Sequence, residues 1–150
     1  LDEPTTGIDA VSRKEFWEML VNLRKRGITI IVSTPYMDEA ALCHRVGLIQ
    51  NGRMLTVNTP ALIIDQFKQD LFAVRSSRMY RLVSDLESFK LIRTAFLFGQ
   101  SVHITLNKME GPPDELTGYL QRLGHAGIEI KKILPGIEDC FMELMTENLE

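Results

Sequence analysis

Residues 1–9 read LDEPTTGID, and this stretch decides how the first half of the sequence is interpreted. Two carboxylates, Asp2 and Glu3, stand side by side, and a proline and a glycine then force the chain to turn. Asp9 is a typical hydrogen-bond acceptor for the start of a helix. Apolar residues at helical spacing predict that this helix runs from about Ala10 to Arg26.

A nearly continuous β-branched run, ITIIV at residues 28–32, follows the predicted helix. Such a run is typical of a strand that is buried on both faces, as in a parallel sheet. The other elements predicted in this half are a short helix at residues 37–44, a hairpin of residues 46–50 and 53–57 around Asn51-Gly52, and a helix opened by Thr59-Pro60. Residues 1–68 are therefore expected to form an α/β unit.

Beyond residue 70 the pattern changes to short strands with alternating apolar residues and three helices. The predicted strands are residues 71–75, 92–98, 102–106 and 128–134, and the predicted helices are residues 79–89, 113–123 and a final 137–145. The order βαββαβ is that of a ferredoxin-like unit. The expected fold class is thus α/β, with a second, small α+β domain at residues 71–150.

The paired carboxylates of Asp2 and Glu3 suit phosphate chemistry. One of them can hold Mg²⁺, a hard cation that keeps most of its waters. The other can orient or deprotonate a water for attack on phosphorus. An Asp-Glu pair taken alone is far more often a solvated loop, but the nine-residue string followed by a helix and a buried run is more specific.

Residues 1 to about 67 resemble the ATPase domain of ABC transporters, through the end of Walker B and the D-loop at residues 1–9 and the switch-loop segment at residues 33–40. The resemblance implies the carboxyl-terminal part of a P-loop NTPase (RecA-like) parallel-sheet domain, with ATP and Mg²⁺ as cofactors. It implies that Asp2 binds Mg²⁺, that Glu3 is the catalytic carboxylate, and that Asp9 communicates across a dimer of two ATP-binding subunits.

The chain ends with the stretch GIEDCF at residues 136–141, in which Glu-Asp-x-Phe opens the final helix. Through this ending, residues 71–150 resemble the small C-terminal domain of ATPase subunits of ABC-2 type exporters. The resemblance implies a transmembrane permease as a second partner, a role in export, and a cytoplasmic position on the inner face of the cell membrane. A formal net charge of -3, without a long basic stripe, argues against a nucleic-acid partner.

Pro35 is a departure from the family, which usually has a histidine there that contacts the γ-phosphate. Proline has no side-chain donor and no backbone N–H, so ATP hydrolysis is expected to be slow unless another group, such as Tyr36, serves. His44 is expected roughly 13 Å away along the chain, which is too far to replace that histidine.

A phosphate-gripping loop of the form GxxxxGK[ST] does not occur in the sequence, and neither does a signature like LSGGQ. Such a loop supplies backbone N–H groups and a lysine charge to the phosphates. The chain is therefore expected to be a fragment of an ATPase that is inactive alone. The alternative is a non-catalytic regulatory or dimerisation module from a degenerate ABC ATPase.

Overall fold

The computed structural model describes residues 1–107 and 114–147. The chain folds as two compact units, Leu1–Pro60 and Ala61–Glu150. Both units mix helices with strands, so the α/β class expected from the sequence is confirmed. The boundary predicted from the sequence lies at residues 68–71. In the structure the second unit already begins at Ala61, so it includes most of the short helix Pro60–Asp65.

The first unit contains two helices and a hairpin. Its elements are α1 (Ala10–Lys25), α2 (Met37–Ala40), β1 (Val46–Gln50) and β2 (Arg53–Asn58). Helix α1 buries Trp17 and Leu20 on one face, as the apolar spacing predicts. Helix α2 ends at Ala40, four residues before the predicted end, and the chain continues in turns up to β1.

The β1–β2 hairpin is antiparallel and turns at Asn51-Gly52, as predicted. Asn51 has φ 49° and Gly52 has φ 74°. A two-residue turn of this kind requires positive φ at both positions, which asparagine and glycine tolerate best. The local sequence signal therefore fixed both the turn and the strand register.

The prediction of a buried strand at residues 28–32 is wrong for this chain. These residues form no regular strand, and Ile31 is 81% exposed. Among the described residues their neighbour is the segment of residues 1–3, through a single parallel bridge between Asp2 and Ser33. A run of apolar residues is buried on both faces only where strands and helices cover it, and such cover is not supplied by this unit.

The second unit is a four-stranded antiparallel sheet with helices, ordered β4-β5-β3-β6. Its elements are α3 (Pro60–Asp65), β3 (Leu71–Arg75), α4 (Met79–Glu87), β4 (Ile92–Phe98), β5 (Ser101–Leu106), α5 (Asp114–Arg122), β6 (Glu129–Ile133) and α6 (Ile137–Glu147). Strands β3 to β6 with helices α4 and α5 give the βαββαβ order, which confirms the ferredoxin-like expectation. The predicted helix start at Pro113 lies outside the described residues.

One apolar core holds α4 and α5 to the sheet. Its members are buried residues of β3, α4, β4, β5 and α5, among them Phe72, Val74, Leu82, Leu86, Val102, Ile104, Leu116 and Leu120. Alternate residues of β5 contribute Val102 and Ile104, as expected for a strand with one apolar face. This core defines one face of the sheet.

Polar side chains join α6 to strands β4 and β5. His103 Nδ1 lies 2.7 Å from Asp139 Oδ1, and Arg93 forms an ion pair with Glu143. The His103 side chain is 17% exposed and its ring stacks on Phe98 at 4.3 Å between centroids. The sequence of β5 places Val102, Ile104 and Leu106 on one face and His103 on the other, so alternation alone predicts that His103 faces solvent or a partner. This prediction is wrong. Helix α6 covers a position that strand alternation alone assigns to the outside.

Within residues 1–107 and 114–147, every helix is too short or too polar to cross a bilayer.

Candidate functional site

The segment that carries the paired carboxylates runs parallel to residues 31–33. Ser33 N donates to Leu1 O at 2.9 Å, and Glu3 N donates to Ser33 O at 3.0 Å. The Ser33 hydroxyl also donates to the Asp2 carboxylate in a short hydrogen bond. Asp2 and Glu3 therefore lie beside Ser33, two residues before Pro35. Among the described residues this contact is an isolated parallel bridge rather than a pair of strands.

Glu3 is exposed and has a strained backbone. Its φ of 40° lies in the left-handed region, which costs an L-residue about 1–2 kcal/mol. The turn that follows supports this conformation, because Thr6 N donates to Glu3 O and Thr6 Oγ1 donates to Glu3 Oε2, both at 3.2 Å. Backbone strain of this kind concentrates at functional sites, where the surrounding structure maintains it.

Asp2 offers a carboxylate that Ser33 orients through one of its two oxygens. Among the described residues, histidine, cysteine, aspartate and glutamate do not gather in a group of three or more that could hold a metal ion. The carboxylates of Asp2 and Glu3 are too few to form a metal site made of protein ligands alone. They fit Mg²⁺, which takes one or two carboxylates and completes its octahedron with water and phosphate oxygens.

Asp9 caps helix α1, as predicted. Its Oδ1 accepts from Val11 N at 2.9 Å and Ser12 N at 3.1 Å, and its Oδ2 accepts from Ser12 Oγ at 2.6 Å. The Ser12 hydroxyl, followed by the backbone N–H groups of Ser12 and Val11, lowers the pKa of the Asp9 carboxyl below its usual value. The structure places Asp9 at the amino end of α1, with both carboxylate oxygens engaged by its own helix.

Pro35 is exposed and lies two residues after Ser33, the bridge partner of Asp2. The neighbouring Tyr36 N donates to Thr34 Oγ1 at 3.1 Å, and the Tyr36 ring lies 4.6 Å from the Arg13 guanidinium. The Tyr36 ring is thus engaged by a cation–π contact.

His44 is exposed and lies near Arg24, with 3.4 Å between His44 Nδ1 and Arg24 Nη1. Its ring nitrogen therefore has a partner on helix α1. That His44 does not replace a histidine at position 35 stays a prediction.

The sequence did not identify Glu39 as a buried hydrogen-bond acceptor of the first unit. The residue is 1% exposed, and its two carboxylate oxygens accept from two threonines. Thr5 Oγ1 donates to Oε1 at 2.6 Å, and Thr34 Oγ1 donates to Oε2 at 2.7 Å. Arg13 Nε lies 3.5 Å from Oε1 and supplies a positive charge. Thr5 itself is fully buried.

The Glu39 carboxyl is held in its charged form. Burial acts to raise its pKa, but the hydrogen bonds from Thr5 and Thr34, with Trp17 and the charge of Arg13, outweigh burial and lower it. The sequence placed Glu39 in the first turn of a short helix, where an acidic residue is ordinary. The two threonines that reveal its role are adjacent only in the fold, so no sequence signal marked it.

Known proteins resemble this chain over nearly all of its length, although no protein-family model matches it. The chain is 43% identical over 147 residues to the probable multidrug ABC transporter ATP-binding protein YbhF of Escherichia coli K12, covering 97% of the chain and 25% of that protein. It is 32% identical over 152 residues to the Nod factor export ATP-binding protein I of Rhizobium sp. N33, covering 100% of the chain and 47% of that protein.

The corresponding Nod factor export protein of Sinorhizobium fredii is 32% identical over 155 residues, covering 100% of the chain and 42% of that protein. The chain therefore spans between a quarter and a half of the length of these relatives. Together with the mixed α/β fold, these similarities confirm the resemblance that the sequence indicated. Over nearly all of its length, the chain is therefore similar to a part of the ATP-binding proteins of ABC transporters.

Proposed function

We propose that this chain carries the hydrolytic carboxylates of an ABC-transporter ATPase that couples ATP hydrolysis to export. The observation that supports the proposal is the parallel pairing of residues 1–3 with Ser33, which lies two residues before Pro35. The name of one relative, a Nod factor export component, supports the direction of transport.

Glu3 is the group proposed to act on water. In ATP hydrolysis the water oxygen forms a bond to the γ-phosphorus while the bond from that phosphorus to the bridging oxygen breaks, which yields ADP, inorganic phosphate and one proton. The exposed Glu3 carboxylate accepts a hydrogen bond from the attacking water and takes up its proton. The bond from Thr6 Oγ1 to Glu3 Oε2 fixes the carboxylate in place for this task.

Asp2 is the group proposed to hold Mg²⁺ through water. When bound with ATP, Mg²⁺ neutralises charge on the phosphate oxygens. The hydrogen bond from Ser33 restricts the rotation of the Asp2 carboxylate. The carboxylate is therefore oriented before Mg²⁺ and ATP bind. Pro35 leaves the γ-phosphate without the histidine contact that the family resemblance implies, and we propose that hydrolysis is slow for this reason.

ATP binding is proposed to depend on polypeptide outside these 150 residues, because the sequence contains no phosphate-gripping loop. Without backbone N–H groups and a lysine to offset the phosphates, the acidic pair repels ATP. The isolated chain is accordingly proposed to be inactive and to bind ATP no more tightly than about 1 mM.

The proposed partners are a second ATP-binding subunit, contacted through Asp9, and a transmembrane permease on the inner face of the cell membrane. Residues 1–68 are proposed to belong to the ATPase domain and residues 71–150 to an accessory domain. The homology to transporter ATP-binding proteins supports these assignments.

The second candidate function is a non-catalytic regulatory or dimerisation module, and the observation that favours it is Pro35 at the switch position. The coding sequence adjacent to this chain separates the two. An intact phosphate loop there supports the ATPase, and a decayed one supports the module.

Kinetics of Glu3→Gln test the proposed ATPase directly, in the transporter ATPase polypeptide that contains this sequence. The amide keeps the shape but is a far weaker base, so turnover should fall by about 10²-fold or more while ATP affinity stays within about twofold. The matched control is Glu18→Gln, a side chain on α1 that is 64% exposed and forms an ion pair with Lys14. Unchanged turnover in Glu3→Gln overturns the proposal.

A further inference from the structure

Glu39 connects the two segments that form the proposed site. Residues 1–9, the carboxylate loop, contribute Thr5, and residues 33–40, the switch segment, contribute Thr34. Thr5 stands two residues after Glu3, and Thr34 directly follows Ser33, which orients Asp2. Glu39, itself in the switch segment, therefore ties this segment to the carboxylate loop through Thr5, next to the residues proposed to act on water and Mg²⁺.

The acceptor in this arrangement has to be a carboxylate. Both threonine hydroxyls donate to it, at 2.6 Å and 2.7 Å, which are the short distances of hydrogen bonds to a charged oxygen. An amide has one acceptor oxygen and offers a donor in place of the other, so it cannot serve both hydroxyls in the same way. Arg13, 3.5 Å away, compensates the buried charge.

We propose that Glu39 is a positioning residue for ATP hydrolysis, and this inference rests on the function proposed above. Because Glu39 is buried, its proposed role is to act through Thr5 and Thr34 and not through direct contact with ATP, Mg²⁺ or water. It holds Thr5, and through it Glu3, at a fixed distance from Ser33 and Asp2. Displacements of about 1 Å in a catalytic group cost about 10²-fold in rate, so loosening this link should lower turnover.

Steady-state ATPase kinetics of the complete transporter ATPase test the inference. Glu39→Gln should lower kcat about tenfold or more and leave KM for ATP within about twofold, because positioning affects the transition state and not the grip on ATP. Thr5→Val and Thr34→Val each remove one hydroxyl at nearly constant volume and should lower kcat several-fold. The control Glu18→Gln, exposed on α1, should leave kcat unchanged.

A double-mutant cycle separates positioning from a general loss of stability. If Glu39 acts through Thr5, the variant carrying both Glu39→Gln and Thr5→Val should lose no more kcat than the more damaged single variant. Independent effects that multiply, or losses of kcat that follow the drop in Tm, overturn the inference. Should Glu39→Gln fail to fold, the two valine variants decide, and unchanged kcat in both overturns it.

Parallel measurement of Glu3→Gln distinguishes the two proposals. If Glu3→Gln abolishes turnover and the variants at Glu39, Thr5 and Thr34 retain it, the positioning role fails and the proposed ATPase function stands. If turnover is insensitive to Glu3→Gln, the proposed function itself fails.

Discussion

Replacement of the buried His125 should strongly destabilise the second unit. The imidazole side chain is fully buried and bridges two elements: its Nδ1 lies 2.7 Å from Ser76 Oγ, and its Nε2 lies 2.8 Å from Asp85 Oδ2. His125→Phe keeps a flat ring of similar size and removes both polar contacts. Ser76 and Asp85 then lose the imidazole as a partner, although Arg78 N still donates to Ser76 Oγ.

The expected loss follows from the two hydrogen bonds. A neutral bond contributes about 0.5–1.5 kcal/mol and a bond to a charged group about 1.5–3 kcal/mol, which gives roughly 2–4 kcal/mol for the pair. Asp85 keeps a contact with Arg81 at 3.7 Å, and its side chain is 14% exposed. These features offset part of the loss, so about 3 kcal/mol is expected.

Denaturant unfolding followed by far-ultraviolet circular dichroism measures this loss in the 150-residue chain. Ser76→Ala removes only the neutral bond and should cost about 1 kcal/mol. His44→Ala, at an exposed site on the first unit, should change stability by less than about 0.5 kcal/mol. A loss below about 1 kcal/mol for His125→Phe would refute the idea that this bridge stabilises the unit.

Three further outcomes are expected. Pro35→His should raise ATP turnover of the complete transporter ATPase, because the imidazole can then donate a hydrogen bond to the γ-phosphate; unchanged turnover shows that Pro35 does not limit the rate of hydrolysis. Glu3→Gly should be more stable than Glu3→Ala by about 1 kcal/mol in denaturant unfolding, since glycine tolerates the positive φ that alanine does not; the reverse order contradicts a strained backbone at position 3. The lowered pKa of Asp9 predicts that its contribution to stability is complete above its ordinary pKa of 3.8 and is lost as pH falls through the lower folded value; Asp9→Asn, measured by unfolding across pH 2–6, should flatten this acid limb, and an unchanged limb excludes Asp9 as its source.

Local signals in the sequence predicted the elements whose shape depends on nearby residues. Asn51-Gly52 fixed the hairpin turn through its backbone preferences, and Asp9 fixed the start of α1 by capping its N–H groups. The alternating strands of residues 71–134 predicted the ferredoxin-like order because one apolar face suffices to hold each strand to the helices.

Features that depend on packing against segments distant in sequence were not predictable in the same way. Residues 28–32 have the composition of a buried strand, but burial requires neighbours that this chain does not place around them. His103 has an outward position in its strand, and only the docking of α6 covers it. Alternation specifies a face of the sheet and cannot specify what packs on that face.

Asp2, Glu3 and Pro35 were singled out by their motif, and their roles stay predictions. The structure pairs residues 1–3 with Ser33, two residues before Pro35. Glu39 was missed, because a buried acceptor is defined by donors such as Thr5 that lie 34 positions away in sequence. The same reason applies to His125, whose partners are 49 and 40 positions away.

A structure of the complete transporter ATPase with Mg²⁺ and a non-hydrolysable ATP analogue tests the central claim most directly. The account predicts a Glu3 carboxylate oxygen within about 2.6–3.2 Å of a water that faces the γ-phosphorus. It also predicts that Asp2 reaches Mg²⁺ through a coordinated water. A structure in which both carboxylates face bulk solvent, remote from the nucleotide, would contradict the account.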